Sequence, residues 1–265
     1  KNAVIRFSSL FMLLFLSVNL SGQKIKSMLI ETYTSGNWVN STKMTNNYDL
    51  NGYLTNSLTQ TWNGTWNNAA QSNYTNTNGV PTLIVNQSYS GGLWNDVSKT
   101  AYTYNSSNKV LTSTYQLWIG SWQNYSLQTN TYDGITGYLS YNLTQSWNGA
   151  SWQNSTQSNY TNDGNGNALI TTTQSYNAGT STWGNSTRTT STYSANKIQT
   201  SVSDTWTSGA WQPNNQSLYS YNGSGYLTGI LTQNRNGSSW VDDTQSTISP
   251  NGDGTVYQIT TQTWD

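Results

Sequence analysis

The stretch "YDLNGYLTNSLTQTWNGTW", Tyr48 to Trp66, decides how the rest of the chain is read. It holds a tyrosine, an Asn-Gly turn, an apolar–polar alternation ending on Gln60 and Trp62, then a second Asn-Gly and another tryptophan. It returns as "YDGITGYLSYNLTQSWNGASW" from Tyr132 and as "YNGSGYLTGILTQNRNGSSW" from Tyr221. Alternation with period two is the mark of a β-strand, and Gly and Asn supply the positive φ of tight hairpin turns. The abundant Asn, Thr, Ser and Gly disfavour helix, and no 3.6-residue period appears. The motif therefore reads as a β-hairpin, copied along the chain.

One tryptophan marks each copy: Trp38, Trp66, Trp94, Trp122, Trp152, Trp183, Trp211 and Trp240, at gaps of 28 to 31 residues. A second column, Trp62, Tyr89, Trp118, Trp147, Tyr176, Trp206 and Trp264, has Arg235 standing in once, and Gln precedes it by two residues except at Asp204. Such periodicity predicts an all-β array of about eight antiparallel β-hairpin repeats, each about 29 residues, over 36–265. Sixteen strands exceed what one open twisted sheet usually holds, so a coiled sheet, a solenoid of hairpins or a shell is expected. The first strand of each repeat runs from its Trp to Tyr48, Tyr74, Tyr104, Tyr132, Tyr160, Tyr193 or Tyr221, with Ile248 in the eighth. The separation is always 8 or 10, so an unbroken strand would carry both rings on one face. By the same alternation Leu54, Asn56, Leu58, Gln60 and Trp62 share a face. Repeats 2, 5 and 8 are the short ones, which points to a duplication unit of three hairpins, about 84–89 residues; recent duplication and a three-hairpin superhelical turn both account for it.

Composition narrows the function. Net charge is zero, 8% of residues are charged, 33% are hydrophobic and 13% aromatic, with 19 Tyr and 13 Trp. The core must therefore be thin and aromatic, since Trp and Tyr bury wide faces while their polar ends reach water. A neutral chain without a basic patch is not expected to bind nucleic acid. Cys and His are both absent, which removes disulfides, thiolate and imidazole catalysis and His/Cys metal sites. No cofactor is expected.

Residues 1–22 combine Lys1 and Arg6 with an apolar run from Leu10 to Leu16, the pattern of a secretory signal peptide; the run is short for a membrane span. A lead-in, 23–35, precedes the repeats. The chain starts with Lys and stops inside the strand-like "TTQTWD", so it is expected to continue past Asp265. A strand barrel in the outer membrane would need an unbroken apolar band, and the faces around Trp38 carry Asn40, Thr42, Lys43 and Asn47 instead.

At "YDLNGYLT", "YDGITGYLS" and "YNGSGYLT" the chain resembles the YD repeats of bacterial Rhs-type surface proteins, and the Trp/Tyr/Asn-rich hairpin arrays secreted by Bacteroidetes. The resemblance covers about 36–265. It implies β-sheet shells or elongated arrays, a secreted or outer-surface location, and repeats without catalytic residues of their own. Only Tyr48-Asp49 and Tyr132-Asp133 keep the Tyr-Asp pair, and the period is longer than that of YD repeats.

Candidate chemistry is sparse. The aromatic and Gln columns suit cross-strand ladders; the same residues suit sugars, whose C–H faces stack on rings while amides and hydroxyls meet their OH groups. Trp66, Trp122, Trp152 and Trp211, with polar flanks at hairpin ends, are the candidate ligand-binding residues. "DGNGN" at 163–167 and "NGDG" at 251–254 resemble half a calcium loop, but the bidentate Glu is missing and a hairpin turn explains them. Adjacent Asp242 and Asp243 fall on opposite faces of a strand, and no carboxylate pair recurs as glycoside hydrolysis would need. No catalytic and no metal-binding residue is assigned. The reading is a secreted or cell-surface, non-catalytic repeat protein that adheres to a glycan or cell-surface polymer. The alternative is a structural stalk or shell segment of a larger surface or toxin-like protein.

Overall fold

The computed structural model describes residues 2–7, 24–34, 36–254 and 256–264. All regular structure there is β: β1 (Asn2–Phe7), β2 (Ser27–Thr34), β3 (Asn37–Tyr48), β4 (Leu54–Trp62), β5 (Trp66–Thr77), β6 (Val80–Ser90), β7 (Leu93–Tyr104), β8 (Val110–Trp118), β9 (Trp122–Tyr132), β10 (Leu139–Trp147), β11 (Trp152–Asn162), β12 (Ala168–Asn177), β13 (Thr182–Ser194), β14 (Lys197–Thr207), β15 (Ala210–Tyr221), β16 (Leu227–Asn236), β17 (Ser239–Pro250) and β18 (Val256–Thr263). Most of the stretch expected to be a signal peptide lies outside the described residues. Its residues 2–7 form β1, parallel to β2 with Asn2 opposite Ser27. Among the described residues no helix is long and apolar enough to cross a membrane, which does not bear on strands.

The chain divides into two compact parts, 1–127 and 128–265, the division falling within β9. From β2 onward, consecutive strands within each part pair antiparallel, so the array of hairpin repeats expected from the sequence is what the chain forms. Two kinds of turn alternate. A short Asn-Gly type turn joins the aromatic column to the next marker Trp, as in Trp62–Trp66. A longer turn follows the far end of the marker strand, where Asp49 N–H bonds to Tyr53 O at 2.9 Å.

The strands are not unbroken. The register slips by one residue three positions after the marker Trp, leaving Ser41, Ala69, Val97, Ser155, Ser186, Asn214 and Asp243 as the extra residue of a β-bulge. A bulge inverts the alternation beyond it. The marker Trp and the residue ten positions on therefore lie on opposite faces, which corrects the expectation from the even spacing. One face, the indole face, carries the Trp and Gln columns; the other, the phenol face, carries Tyr48, Tyr74, Tyr102 and Tyr104. A second bulge, at Thr55 in β4, seats Leu54 opposite Tyr48, so Leu54 does not share the face of Asn56, Leu58, Gln60 and Trp62.

The position ten residues after each Trp also corrects the short repeats. Tyr48 donates its hydroxyl to the carbonyl of Ile25 in the lead-in, and Tyr104 and Tyr221 donate theirs to Pro81 and Ile198 in the preceding repeat, at 2.7–2.9 Å. Repeats 2 and 5 keep the same length of strand but place Asn there. Asn76 Nδ2 donates to Leu54 O at 2.8 Å and Asn162 Nδ2 to Leu139 O at 2.7 Å. An amide replaces a phenol and reaches the same acceptor.

Strand centres are half-buried on both faces, and Ile248, at 8% exposure, is the one buried hydrophobic residue among the described ones. Cohesion is thus lateral: the backbone ladder, ring pairs and amide bonds run from strand to strand, where small terms repeat many times.

Candidate functional site

Each hairpin has a tryptophan end and a tyrosine end. At the tryptophan end the two aromatic columns meet across the turn. Trp62 and Trp66 stand directly opposite with ring centroids 5.1 Å apart at 60°. Tyr89–Trp94 (4.9 Å), Trp118–Trp122 (5.1 Å), Trp147–Trp152 (5.1 Å), Tyr176–Trp183 (4.9 Å) and Trp206–Trp211 (4.9 Å) repeat it, all edge to face. This geometry sets the positive edge of one ring on the negative face of its partner. Where the column departs from aromatic, Arg235 puts its guanidinium 5.0 Å from the Trp240 ring, a cation–π contact in place of a ring pair.

Beneath each ring pair lies an amide clamp. The column Gln donates across the strand pair to an Asn or Asp two residues after the marker Trp. The pairs are Gln60–Asn68 (3.1 Å), Gln87–Asp96 (2.8 Å), Gln116–Asn124 (2.8 Å), Gln145–Asn154 (3.1 Å), Gln174–Asn185 (3.0 Å) and Gln233–Asp242 (2.7 Å). Further amides join neighbouring clamps: Gln71 donates to Gln87 (2.7 Å) and Gln157 to Gln174 (2.6 Å), while Tyr141 donates to Gln157 (2.8 Å). Repeat 6 breaks the rule. Pro213 stands opposite Asp204, and Arg188 supplies the partner with Nε and Nη2 at 2.9 and 2.6 Å from Oδ2. The acceptor column after each Trp is a functional part of the scaffold that sequence reasoning passed over; its signal was the recurring Asn or Asp, masked by the abundance of Asn.

The four tryptophans singled out from sequence do not gather into one site. Each occupies the same place in its own hairpin. Trp66 and Trp122 lie in the first part with the Tyr89–Trp94 pair in the hairpin between them; Trp152 and Trp211 lie in the second with Tyr176–Trp183 between. Strands lie about 4.8 Å apart, so successive pairs recur every ~9.6 Å. Lys99 Nζ sits 4.5 Å from the Trp122 ring centre and the Arg188 guanidinium 5.0 Å from that of Trp211.

At the tyrosine end the turns are capped by side-chain oxygens. Asp133 Oδ1 accepts the N–H groups of Ile135 and Thr136 and the Thr136 hydroxyl, at 2.7–3.1 Å. Asp163 Oδ1 accepts N–H from Asn165 and Asn167, both at 2.9 Å, and Oδ2 accepts the Asn167 amide at 2.8 Å. For Asp133 the Thr136 N–H leads, and for Asp163 the Asn167 amide; these donors hold both carboxyls below the usual carboxylate range. The 163–167 stretch is thus a capped turn, as expected. Among the described residues no three potential metal ligands of the His, Cys, Asp and Glu types cluster. Asp242 is a clamp acceptor and Asp243 the bulge residue beside it.

Between the turns of repeats 4 and 5 lies a cleft of about 240 Å³, lined by Asp133, Thr136 and Tyr138 from one and Tyr160, Asn162 and Asp163 from the next. Tyr138 spans it, donating to Gly164 O at 3.1 Å. Its ring occupies the space beside Gly166, where a Cβ would lie 2.6 Å away and the backbone has φ +86°. Tyr53 against Gly79 repeats this contact three repeats earlier and Tyr226 against Gly254 three repeats later, so the triplet rhythm of the sequence is expressed at the tyrosine end.

No family model and no curated protein matches the chain. Among solved structures it is similar to a protein of unknown function from Bacteroides fragilis (15% identity, 46% of this chain and 91% of that one, TM-score 0.41). It is also similar to a porin-like protein from Bacteroides uniformis (14% identity, 77% and 88%, TM-score 0.43). A third is the Photorhabdus luminescens Tc holotoxin pore (11% identity, 86% of this chain and 16% of that one, TM-score 0.34).

Proposed function

We propose that this chain is a non-catalytic repeat scaffold of the YD-repeat kind, secreted or held at the outer cell surface, that adheres to glycan or another cell-surface polymer through its row of indoles. The supporting observation is the edge-to-face aromatic pair recurring at the tryptophan end of six hairpins, with half-exposed rings beside Gln and Asn amides. Ring faces pack against pyranose C–H groups, and amides meet hydroxyls. Identical weak sites every ~9.6 Å gain by multivalency on a polymer. Asp96 and Asp242 serve as clamp acceptors, Asp133 and Asp163 cap turns and Asp204 sits in an ion pair, scaffold roles that support a non-catalytic reading. The neutral charge gives nucleic acid no electrostatic purchase.

A purely structural stalk or shell is favoured by a different observation, that each ring already engages a partner. Pull-down on insoluble polysaccharides separates the two. Trp122→Ala with Trp152→Ala is expected to reduce retention about tenfold or more with the β-sheet spectrum intact. Undiminished retention, or none by the parent protein, sinks the adhesive reading.

A further inference from the structure

The cleft between the turns of repeats 4 and 5 is chemically unlike the indole row, and its copies elsewhere in the chain are informative. The lining carries two carboxylates, two phenols and a hydroxyl or amide on each side, and no Lys or Arg. Asp133 spends Oδ1 on its turn and accepts none of those bonds with Oδ2. Repeats 1 and 2 hold the counterparts Asp49, Tyr53, Tyr74 and Asn76, but with Thr77 where Asp163 stands; repeats 7 and 8 hold Asn222, Tyr226, Ile248 and Pro250. Only around repeats 4 and 5 does the triplet pattern assemble both carboxylates with both phenols.

The same row of turns shows what such a groove accepts. At the position that Tyr138 holds in its groove, two other grooves have a lysine. Lys24 lays its ammonium beside Gly52, 5.7 Å from the Tyr48 ring centre, and Lys197 beside Gly225, 5.6 Å from that of Tyr221. An ammonium over a turn-end phenol is thus already part of this architecture. Calcium fits less well, because it takes 6–8 oxygens and most of the carboxylate lone pairs here are given to N–H groups. The volume is below the ~300–1,000 Å³ of drug-sized sites and suits a single sugar ring.

We infer that this cleft binds an amino sugar unit, its ammonium between Asp133 and Asp163 and its ring against Tyr138 and Tyr160. Charge-assisted bonds to the carboxylates fix the nitrogen, while the Thr136 hydroxyl and the Asn162 amide border the sugar hydroxyls. The site stands apart from the indole row, so either can fail alone.

The test is a calorimetric titration of the full chain with the trimer of glucosamine and, in parallel, the trimer of N-acetylglucosamine. It is run near pH 6, below the ~7.7–8.0 typical of an amine beside an electron-withdrawing carbon. The cationic trimer is expected to bind at least about tenfold tighter than the neutral one. Asp133→Asn with Asp163→Asn is expected to abolish that preference. Folding should survive it, because Asn222 and Asn105 cap their own turns in the equivalent places. Tyr160→Ile, copying Ile248 of repeat 8, is expected to weaken the cationic trimer severalfold. Equal affinity for the two trimers, or a preference retained by the double Asn variant, overturns the inference. So does displacement of the cationic trimer by millimolar calcium, which would make the cleft a metal site.

Discussion

The two ends of every hairpin obey different rules. At the tryptophan end the ring pair and amide clamp return in nearly every repeat with centroid distances of 4.9–5.1 Å. At the tyrosine end the side chain that reaches to the neighbouring turn changes from repeat to repeat, a phenol at every third and a lysine or an amide at others. Where every copy does the same work, the residues hold the ladder together and offer the same surface again and again. Where copies differ, one of them can acquire a ligand without disturbing the ladder.

The largest effect expected from breaking this contrast lies at the one irregular clamp. Asp204 is 4% exposed and its partner Arg188 has a side chain 35% exposed. Arg188→Met strands a buried carboxylate and is expected to cost about 3 kcal/mol, the low end for a broken buried pair because the arginine is partly screened. Restoring the usual column with Arg188→Gln and Asp204→Gln should recover most of it in a denaturant melt; no recovery would show that repeat 6 has an irregularity beyond its charges.

Next come two glycines with similar backbone. Gly166 (φ +86°) abuts the Tyr138 ring, whereas Gly149 (φ +97°) at a tryptophan-end turn has nothing within 4 Å of where a Cβ would sit. Alanine at Gly149 is expected to cost about 1 kcal/mol of backbone strain and at Gly166 about 2, since the ring must also move. Equal losses in thermal melts would deny the tyrosine end its packing role. Gln60→Ala and Gln145→Ala, by contrast, remove like clamps in different parts and should each cost about 1 kcal/mol, alike within error.

The smallest effects are in pH. Asp133 and Asp163 titrate below the usual 3.8 when folded, so their contribution is present above that value and is lost as pH falls through the depressed one. Burial leads in raising the phenols of Tyr74, Tyr104 and Tyr221 above 10.0, so stability should be flat to about pH 10 and fall beyond it as the unfolded phenols ionise. Melting temperatures across both limbs check this, with the acid limb shallower in the double Asn variant.

Strands, turns and the marker columns were legible because aromatic residues and Asn-Gly pairs punctuate a monotonous text. The bulges were not. A strand betrays a change of parity only when one face is apolar and the other polar, and here Thr, Ser and Asn occupy both. Counting from Trp38 to Tyr48 thus gave the right strand and the wrong face. Asn76 and Asn162 were hidden for a related reason. They replace a phenol by an amide that makes the same bond, and only the shared acceptor reveals the equivalence. Of the candidate site, the four tryptophans were found in the hairpin-end places expected for them. The cleft was not foreseen, because it joins turns about 30 residues apart whose closeness depends on the register of the strands between them.

The indole pairs also give the protein an optical signature of its own. Two stacked-on-edge indoles about 5 Å apart share their excited states, and such a pair splits its far-ultraviolet band into lobes of opposite sign. Trp62–Trp66 and Trp118–Trp122 lie in the first part, Trp147–Trp152 and Trp206–Trp211 in the second. Circular dichroism on heating should therefore lose this couplet in two equal halves if the parts melt separately, and in one step if they melt together.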